Sequence, residues 1–481
     1  MTSLAEEKVE QARWVPRPAY RDTRAFDALV EGEFLPEAQQ RANGARALGA
    51  LVRFAAAQVP HYRDLFARAG LGPEDVAAVE DLPKLPPLSK REVAELGPRL
   101  CPRALPQGEE VIASTSSSGS TGTPTRVYRT RRSFRVADLL TQRQLRWYRF
   151  DPAGTFARIR GPEELSRPDG SPLADGETLR LDTWLGVGRM FVTGPFLGFS
   201  NRNTTEAKAE WLLAHRPDYL MARTNELEHI ALVLQGREAP SGMRGMRAIG
   251  EPVTAGMKRR IEDTFHAPVH ISFGLDETGW LATFCREGNC YHVHSEHCVA
   301  EVADGDGKPC PPGEQGRLLV TVLTNLAMPL IRYDTGDHAT APDGPCPCGR
   351  TLPRIGPDIG RRADKERLPA GTTELAAALL EAMEEVRLPL GENLREYRVH
   401  QTATGDFELR LVTAGSLNGG LAPYVETAWR AAAARHVPKP GTAPRLRLVT
   451  VDALERAPSG KFARFTSDLP DRAQETATGH G

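Results

Sequence analysis

Residues 114–125 read Ser-Thr-Ser-Ser-Ser-Gly-Ser-Thr-Gly-Thr-Pro-Thr, a run of hydroxyl side chains interrupted by two glycines. The glycines leave backbone N–H groups unobstructed, and the hydroxyls add O–H donors that can rotate. Such a segment can hold the oxygens of a polyphosphate without a fixed positive charge. It is not a Walker-type loop, because no Gly-Lys-Ser/Thr follows the first glycine at the required spacing. The composition alone also suits a flexible linker, but the flanking residues Val111-Ile112 and Arg126-Val-Tyr128 favour a turn within a sheet.

The composition of the whole chain is typical of a globular protein. The 481 residues, 40% hydrophobic and 26% charged, suffice for two or three domains. The 61 Lys and Arg against 62 Asp and Glu give a formal charge of −1, so there is no electrostatic reason to expect nucleic acid or a membrane surface as partner. Seven cysteines, an odd number, argue against a disulfide framework. The chain shows neither a membrane-spanning stretch nor a secretion signal, and we expect a cytoplasmic protein.

Helix and strand patterns alternate through much of the chain, which is typical of α/β layers with sheets covered by helices. Helical spacing of apolar residues extends over residues 37–68, 206–214, 225–234 and 255–266. Short apolar strands are predicted at residues 246–249, 268–273 and 317–324. Residues 1–20 have the composition of a loosely held arm.

The character of the sequence changes near Gly360. Beyond it lie a helical pattern at 373–386, two stretches of period two at 394–401 and 407–413, a second helix at 424–436 and a strand at 446–451. That set is sufficient for a small α+β domain of its own. We therefore predict a large N-terminal domain, residues 1–360, and a small C-terminal domain, residues 361–481.

The chain resembles the adenylate-forming superfamily and, within it, the phenylacetate–CoA ligase-like family of aryl-acid ligases. The resemblance covers roughly residues 40–467. An ordered set of sequence pieces carries it, whereas one piece would be a weak signal. In chain order they are Val59-Pro-His-Tyr-Arg63, Leu82-Pro-Lys-Leu-Pro86, the Ser/Thr/Gly loop, His215-Arg-Pro-Asp-Tyr219, Gly250-Glu-Pro252, Phe273-Gly-Leu-Asp-Glu277, Tyr333-Asp-Thr-Gly-Asp337, Gly360-Arg361 and Pro458-Ser-Gly-Lys461.

The resemblance implies a reaction in two steps. A carboxylic acid, most simply an aromatic one, reacts with ATP and Mg²⁺ to give an acyl-AMP and pyrophosphate, and a thiol then captures the acyl group. The most direct acceptor is CoA. The large domain would bind ATP and the acid, and the small domain would be mobile and carry a catalytic lysine. Dimers occur in the resembling family, which leaves a homodimer open.

The resemblance also assigns roles to particular residues around the nucleotide. Glu277, at the end of a predicted strand, would be catalytic as the ligand of Mg²⁺, which needs only one or two carboxylates beside phosphate oxygens. Phe273 would stack on the adenine. Arg361 would reach the ribose or the α-phosphate, and Asp337, after a buried strand that turns at Gly336, would accept the ribose hydroxyls. The remaining nucleotide contacts would come from Ser117, Ser118, Gly119, Ser120, Thr121 and Gly122 around the phosphates, and from the backbone of Gly250, Glu251 and Pro252, which also suit an ordinary turn.

Two residues of the predicted C-terminal domain have assigned roles, one as the catalytic lysine and one as the hinge. Lys461 lies in a tight Ser-Gly-Lys turn, where a lysine taken alone would be an ordinary surface side chain. By resemblance it enters the site and neutralises the charge that develops on the α-phosphate and the attacking carboxylate. Asp364 matches the hinge about which the small domain would rotate between the two steps.

A second group of residues has the composition of a metal site. Cys346-Pro-Cys348-Gly-Arg350 is a short knuckle with two thiols, and Cys285 precedes His292 by seven residues in another predicted turn. Three thiolates and an imidazole complete a tetrahedral zinc site without an open position, which would be structural. Some members of the resembling family carry such a site in these places. Reduced, partly buried cysteines are the simpler alternative, and rival ligands nearby are Cys290, His294, His297 and Cys298.

The sequence says little about the acid and the acceptor. Residues 184–191 and 194–199 are rich in aromatic, Met and Gly residues that would suit a flat acid, but such residues are also typical of a core. The chain departs from the family pattern after the hinge, where it reads Lys365-Glu-Arg-Leu-Pro, and Thr123 stands where a lysine is common. An enzyme that passes its acyl group to a carrier protein or an amine is therefore the second hypothesis.

The third hypothesis is a catalytically silent nucleotide-binding homologue. It is motivated by Asp276, which stands where the family has a hydroxyl residue, and by the altered hinge loop. The joint presence of Lys461, Glu277, Asp337 and Arg361 speaks against it.

Overall fold

A computed structural model describes residues 14–18, 24–117, 125–165, 167, 169–237, 240–361, 372–385, 393–416, 420–437, 443–456 and 462–469. In these ranges the helices are α1 (Arg24–Gly32), α2 (Glu37–Gln58), α3 (Pro60–Ala69), α4 (Lys90–Leu96), α5 (Arg131–Trp147), α6 (Thr205–His215), α7 (Thr224–Leu234), α8 (Ala255–Phe265), α9 (Thr372–Glu385) and α10 (Leu421–His436). Across these same ranges, no helix has the length and apolar character needed to cross a bilayer.

The strands of the described residues follow the alternation expected from the sequence. They are β1 (Val111–Ser117), β2 (Thr125–Thr130), β3 (Phe156–Arg160), β4 (Thr178–Leu181), β5 (Phe196–Ser200), β6 (Tyr219–Arg223), β7 (Gly245–Ile249), β8 (Val269–Leu275), β9 (Gly279–Cys285), β10 (Cys290–Val293), β11 (Cys298–Ala303), β12 (Gln315–Val322), β13 (Tyr333–Thr340), β14 (Arg354–Ile355), β15 (Gly360–Arg361), β16 (Leu394–Gln401), β17 (Phe407–Thr413), β18 (Leu446–Thr450) and β19 (Phe465–Ser467). The predicted α/β class is confirmed.

The chain divides into two compact units, each built from separate segments of sequence. Unit 1 comprises residues 1–154, 181–195 and 271–360. Unit 2 comprises residues 155–180, 196–270 and 361–481. The second unit therefore contains all residues after Gly360 together with two earlier segments. The division into a 1–360 domain and a 361–481 domain stays a prediction.

Unit 1 is dominated by antiparallel strand pairs. β1 and β2 form a two-stranded sheet, and β11, β12, β13 and β15 form a four-stranded one. A third group places β14, β10, β9 and β8 side by side, with antiparallel pairing between neighbours. Hairpins of this kind bring the ends of adjacent strands together, and those ends carry most of the predicted site residues of this unit.

Unit 2 contains strands in the order β7-β6-β3-β5-β4, of which β7, β6, β3 and β5 pair parallel and are joined in part through α6 and α7. Burial of every residue in β5, β6 and β7 agrees with a parallel sheet that is covered on both faces. A second sheet has the order β18-β17-β16-β19. Its core includes Leu379 of α9, Tyr397 and Val399 of β16, and Trp429 of α10. The residues after Gly360 thus have a hydrophobic core of their own.

The helical pattern predicted over residues 37–68 forms two helices instead of one. Val59 has an extended backbone, with φ −99° and ψ 118°, between α2 and α3. The next residue is Pro60, which lacks a backbone donor and pushes the preceding residue out of the helical region. Proline is well suited to the first turn of the new helix, since its missing N–H has no partner there.

Residues 82–89, named here the Pro-rich strap, run beside the start of β13. Arg332 Nη1 donates to the Leu85 carbonyl at 2.6 Å, and Leu88 exchanges backbone hydrogen bonds with Arg332 and Asp334 at 2.9 Å each. The strap ends at Ser89, which caps α4 by accepting from the Glu92 N–H at 3.2 Å. The strap therefore fixes the position of Lys90, the first residue of α4.

Tyr62, from the piece Val59-Pro-His-Tyr-Arg63, holds the chain as it enters β13. Its hydroxyl donates to the Pro329 carbonyl at 3.1 Å and accepts from the Ile331 N–H at 3.0 Å. The side chain is 2% exposed. Two backbone groups that water cannot reach therefore depend on one phenol for their hydrogen bonds.

We expect Tyr62→Phe to lower the free energy of unfolding by roughly 1–3 kcal/mol, because buried polar groups lose their partner. Urea-induced unfolding followed by fluorescence measures the change. Tyr128→Phe, at a partly buried position in β2, is the matched control and should change stability less. Equal stability of Tyr62→Phe and the wild type would contradict the role assigned to this hydroxyl.

Candidate active site and metal centre

The Ser/Thr/Gly loop is flanked by two strands, as predicted. β1 and β2 pair antiparallel, with Ser114 opposite Tyr128 and Ser117 opposite Thr125. Ser117 is the last residue of β1, so the segment between the strands is the connection of a hairpin. The other predicted phosphate-binding residues of this loop lie outside the described residues, namely Ser118, Gly119, Ser120, Thr121 and Gly122.

The hairpin is bonded to the turn that follows β8. Thr115 Oγ1 donates to the backbone carbonyl of Asp276 at 3.0 Å, and Arg129 Nη2 donates to the same oxygen at 2.8 Å. Burial lowers the pKa of Arg129, although Asp276 and Glu277 oppose this effect. The main chain of Asp276, rather than a side-chain hydroxyl at that position, thus makes the contact with the hairpin.

Glu277 lies in this turn at the end of β8, where the sequence places it. The residue is 6% exposed, and its Oε1 is 2.9 Å from Lys90 Nζ. A carboxylate is held in a buried place only where cations or donors compensate its charge. The structure thus places a buried carboxylate beside the β1–β2 hairpin.

Lys90 is a residue that sequence reasoning did not find. It follows a Pro-rich strap, and nothing in Leu-Ser-Lys distinguishes a lysine that faces a site from a solvated one. Its position depends on the hydrogen bonds between the strap and β13, which join residues far apart in sequence. Only the folded structure brings it to Glu277.

Phe273, the predicted adenine-stacking residue, lies two residues before the end of β8 and is partly exposed. Its ring centroid is 6.4 Å from that of Tyr291 in an edge-on arrangement. This contact leaves an aromatic face that is not stacked on Tyr291. The geometry is compatible with the predicted stacking role.

Asp337 lies inside a strand, which differs from the turn expected at Gly336. β13 continues from Tyr333 to Thr340, and the turn is absorbed as a bulge opposite β12. Gly336 has φ +75°, a conformation that glycine adopts without strain. The Asp337 side chain is buried, and its N–H donates to Thr335 Oγ1 at 3.1 Å.

The turn Gly250-Glu251-Pro252 belongs to unit 2 and contacts the N-terminus of α7. Thr224 Oγ1 donates to the Glu251 carbonyl at 2.9 Å, and the Asn225 N–H donates to Glu251 Oε2 at 3.3 Å. Burial raises the pKa of Glu251. The same carboxylate accepts from the Phe462 N–H at 3.4 Å. This turn therefore contacts the residue that follows Lys461 in the sequence.

Three predicted residues of the C-terminal region cannot be located by their side chains. Lys461 and the hinge residue Asp364 lie outside the described residues. Arg361 is described only as backbone, in β15. Their roles stay predictions.

The four predicted metal ligands come together in unit 1. The ligand atoms of Cys285, His292, Cys346 and Cys348 all lie within 4.8 Å of one another. Cys285 Sγ is 3.8 Å from Cys346 Sγ, and Cys348 Sγ is 3.4 Å from His292 Nε2. Cys285 and His292 are contributed by the two strands of the β9–β10 hairpin rather than by one turn.

The imidazole of His292 is oriented for ligation. Its Nδ1 lies 3.3 Å from the Leu352 carbonyl, and a hydrogen bond there leaves Nε2 facing the thiols. Burial lowers the pKa of His292 to about 4, so the ring is neutral at pH 7. Metal-binding histidines commonly donate their second ring N–H to a carbonyl in this way.

The thiols are crowded into a pocket that suits a cation. Burial raises the pKa of Cys285 to about 12 and that of Cys346 to about 11, so several thiolates can share the pocket only with a positive charge between them. The backbone N–H of Gly288 is bonded to the Cys285 sulfur. A Cβ at Gly288 would lie 2.3 Å from Cys346 Sγ, so the pocket depends on this glycine.

Three of the four rival ligands, His294, His297 and Cys298, have partners outside the cluster. His294 contacts the side chains of Gln144 and Thr283, and His297 lies 2.6 Å from Thr324 Oγ1. Cys298 Sγ is 3.6 Å from the Leu281 carbonyl. Cys290 pairs with Cys285 across the hairpin and packs beside the cluster.

The aromatic segments considered for the acid are part of the core. Trp184 and Phe191 are each 1% exposed, and both contact Trp14 edge-on, with ring centroids 5.9 and 5.8 Å away. The backbone of residues 14–18 pairs with this segment, since Val192 donates to the Val15 carbonyl at 2.8 Å. This part of the predicted loose arm is therefore held in place. Residues 196–200 form the buried strand β5.

Comparison with solved structures identifies the fold class. A crystal structure of 2-hydroxyisobutyryl-CoA ligase, in the postadenylation state with 2-HIB-AMP, matches with a TM-score of 0.68. The match covers 93% of this chain and 93% of that one, at 20% sequence identity. The chain has the fold of the adenylate-forming CoA ligases.

Comparison of sequences identifies the family, although no family model matches the chain. A phenylacetate–coenzyme A ligase of Thermus thermophilus is 30% identical over 342 residues, which cover 69% of this chain and 73% of that protein. The enzyme of the same name from Escherichia coli is 29% identical over 315 residues, or 64% of this chain and 67% of that protein. The chain belongs to the phenylacetate–CoA ligase family, whose members are AMP-forming acid–CoA ligases.

We expect Lys90→Met to lower the free energy of unfolding at pH 7 by about 2 kcal/mol, because a hydrogen bond to a buried charged group is worth roughly 1.5–3 kcal/mol. Urea-induced unfolding measures this loss of stability. The double variant Lys90→Met, Glu277→Gln should recover part of the free energy of unfolding, because it removes the buried charge as well as its partner. Lys84→Met is the control, since Lys84 makes an exposed pair with Asp81. A Lys90→Met protein as stable as the wild type would show that the ion pair contributes nothing.

Proposed function

We propose that the protein activates a carboxylic acid with ATP and transfers the acyl group to CoA. The observation that carries the proposal is the buried carboxylate of Glu277. It lies in the turn after β8, and Thr115 and Arg129 of the β1–β2 hairpin donate hydrogen bonds to the Asp276 carbonyl of that turn. The predicted metal-ligating oxygen and the strands that flank the predicted phosphate-binding segment are thereby joined by hydrogen bonds in unit 1. Membership of the phenylacetate–CoA ligase family supports the same reaction.

In the first step, an oxygen of the acid attacks the α-phosphorus of ATP, and the bond to the pyrophosphate oxygen breaks. The products are acyl-AMP and pyrophosphate. The Ser/Thr/Gly loop, Phe273, Asp337 and Arg361 would bind the nucleotide. Lys461 would neutralise the charge that develops on the α-phosphate, and Asp364 would serve as the hinge.

Glu277 would hold Mg²⁺, which supplies positive charge to the phosphate oxygens when bound. Its buried oxygen fits that role, because hard cations prefer carboxylate oxygens. Lys90 offsets the charge of Glu277 in the structure. Displacement is chiefly a matter of positioning and electrostatic stabilisation, which these residues can provide.

In the second step, the CoA sulfur attacks the acyl carbon, a thioester forms, AMP leaves and the thiol proton is released. An aryl acid is the proposed substrate because the relatives reported above are phenylacetate–CoA ligases. A carrier protein or amine acceptor, a homodimer and a cytoplasmic location stay predictions.

We expect Lys461→Ala to nearly abolish acid-dependent pyrophosphate release while ATP binding stays close to that of the wild type. The physical reason is the loss of a charge that acts only as the phosphorus reacts. A coupled pyrophosphate assay with a panel of aryl and small aliphatic acids measures the rate, and calorimetry measures ATP binding. Release by the variant at the wild-type rate would refute the assignment.

The same assay separates the three hypotheses. Wild-type protein with its preferred acid is offered either CoA or a phosphopantetheinylated carrier protein, and the thioester is identified by mass spectrometry. Faster transfer to the carrier protein than to CoA would show that the carrier protein is the preferred acceptor. ATP binding without pyrophosphate from any acid would instead favour the silent homologue.

We further propose that Cys285, His292, Cys346 and Cys348 bind one structural Zn²⁺. Three sulfurs and one imidazole nitrogen are a common zinc set, and these residues leave no position open for a substrate. The neutral His292 ring and the Gly288 gap beside Cys346 support the assignment. The ion would join the β9–β10 hairpin to the segment 346–348.

We expect the purified protein to contain one zinc per chain, measured by inductively coupled plasma mass spectrometry. Cys346→Ser should lose the metal and about 4 kcal/mol of stability, the effect of a ligand present at about 1,000 times its Kd. Gly288→Ala should also lose zinc, because its new Cβ meets the Cys346 sulfur while every thiol remains. Cys310→Ser is the control, and absence of zinc from the wild type would refute the site.

A further inference from the structure

The chain directly after Lys461 is held at three consecutive residues, which is unusual for a segment outside regular structure. Phe462 contacts Glu251 and Asn225, the Ala463 carbonyl accepts from Arg398 Nε at 2.8 Å, and Arg464 Nη2 lies 2.7 Å from Glu228 Oε2. Two of these partners, Glu228 and Asn225, are buried in α7. All of these residues belong to unit 2.

The backbone of Phe462 is bonded on both sides. Its N–H donates to Glu251 Oε1 at 3.4 Å, and its carbonyl accepts from Asn225 Nδ2 at 3.1 Å. The second oxygen of Glu251 accepts the Asn225 N–H at 3.3 Å. One carboxylate therefore joins the 250–252 turn, the first turn of α7 and the residue next to Lys461.

The side chain of Phe462 is also fixed. It is 4% exposed, and the guanidinium carbons of Arg398 and Arg456 lie 4.8 and 5.2 Å from the centroid of its ring. His229 of α7 meets the ring edge-on, with centroids 5.3 Å apart. A cation placed over an aromatic ring is attracted to its negative face. The ring thus cannot turn without breaking several contacts.

Arg464, two residues after Phe462, forms a buried ion pair with Glu228 of α7. Glu228 is completely buried and faces both Arg464 and Arg260, the latter at 3.6 Å. Arg464 also bonds the hydroxyl of Tyr397. A buried charge must keep its partner, since an uncompensated one is costly. This pair fixes the direction of the chain two residues beyond Phe462.

A simpler account is that Glu251 only caps α7. The residue before that helix is Arg223, which makes no capping hydrogen bond, and a carboxylate at a helix N-terminus is favourable. Capping requires only the bond to the Asn225 N–H. It does not explain why the other oxygen accepts the Phe462 N–H, or why Asn225 binds the Phe462 carbonyl.

We propose that Glu251 is a positioning residue for Lys461, acting through its hydrogen bond to the backbone of Phe462. This inference rests on the proposed function, in which Lys461 serves the activation of the acid. Lys461 is bonded covalently to Phe462, so a restraint on that peptide limits where the amino group can be delivered. In the proposed function Lys461 acts in the first step, so we expect the role of Glu251 to be limited to that step.

The test compares Glu251→Gln with the wild type in the two steps measured separately. We expect acid-dependent pyrophosphate release to fall about tenfold, since a neutral amide accepts more weakly than a carboxylate. Thioester formation from supplied acyl-AMP and CoA should stay within twofold. The Kd of ATP should also be unchanged. Asn225→Ala, which removes the partner of the Phe462 carbonyl, should show the same division between the steps.

Two controls address structural damage. Glu210→Gln removes an exposed carboxylate from the same unit, paired with Arg237, and should leave both steps unchanged. Hydrogen–deuterium exchange of the peptide containing Phe462 should be faster in Glu251→Gln, and exchange in α10 should not change. A variant that merely unfolds would exchange faster in both.

Several outcomes would overturn the inference. Equal loss in both steps would mean that Glu251 supports the fold alone, and weaker ATP binding would mean that it acts on the nucleotide. An unchanged rate of pyrophosphate release would overturn the positioning role while the proposed function stands. If the wild type releases no pyrophosphate with any acid, the proposed function falls and this inference falls with it.

Discussion

Two hydrogen bonds to one backbone oxygen connect the parts of the candidate nucleotide site in unit 1. The carbonyl of Asp276 accepts from Thr115 in β1 and from Arg129 in β2, so hydrogen bonds join the β1–β2 hairpin to the turn after β8. Glu277 follows Asp276 directly, and its buried charge faces Lys90 at the start of α4. The Pro-rich strap in turn fixes Lys90 to β13, the strand that carries Asp337. Each predicted ligand-binding segment of this unit is therefore positioned by contacts between distant parts of the chain.

The regions described above all bury titratable groups, and removing a charged group from water costs free energy. Glu277 in unit 1 and Glu228 in unit 2 are both buried carboxylates that face a cation. The thiols of Cys285 and Cys346 are instead held near one another with raised pKa values. Buried charges of this kind give little net stability, and buried titratable groups with shifted pKa values are candidates for a binding role. The candidate metal centre and the candidate nucleotide site in unit 1 share this feature.

The sequence predicted those features that depend on local pattern. The strands around the Ser/Thr/Gly loop, the helices α6 to α8 and the position of Glu277 at the end of β8 follow from short-range alternation and from the ordered family pieces. The four residues of the metal cluster were also predicted from spacing, although spacing could not choose between Cys285 and Cys290. In the structure the ligand atoms of Cys285, His292, Cys346 and Cys348 lie within 4.8 Å of one another, a grouping that only the folded chain defines.

Other features depended on contacts that no local pattern records. Pro60 divides one predicted helix into two, and Gly336 converts an expected turn into a bulge within β13. Trp14 covers aromatic residues that would otherwise suit a substrate pocket. Lys90 and Tyr62 act through bonds across the fold, and their neighbours in sequence give no hint of the partner.

The strand order of the C-terminal sheet has a mechanical consequence. β18 and β19 occupy opposite edges of β18-β17-β16-β19, and residues 451–464 connect them. Three strand spacings of about 4.8 Å separate those edges, a distance of about 14 Å. The described residues at the two ends of this connection, 451–456 and 462–464, therefore adjoin opposite edges of one sheet. Displacing either end by itself would require an edge strand to separate from its neighbour.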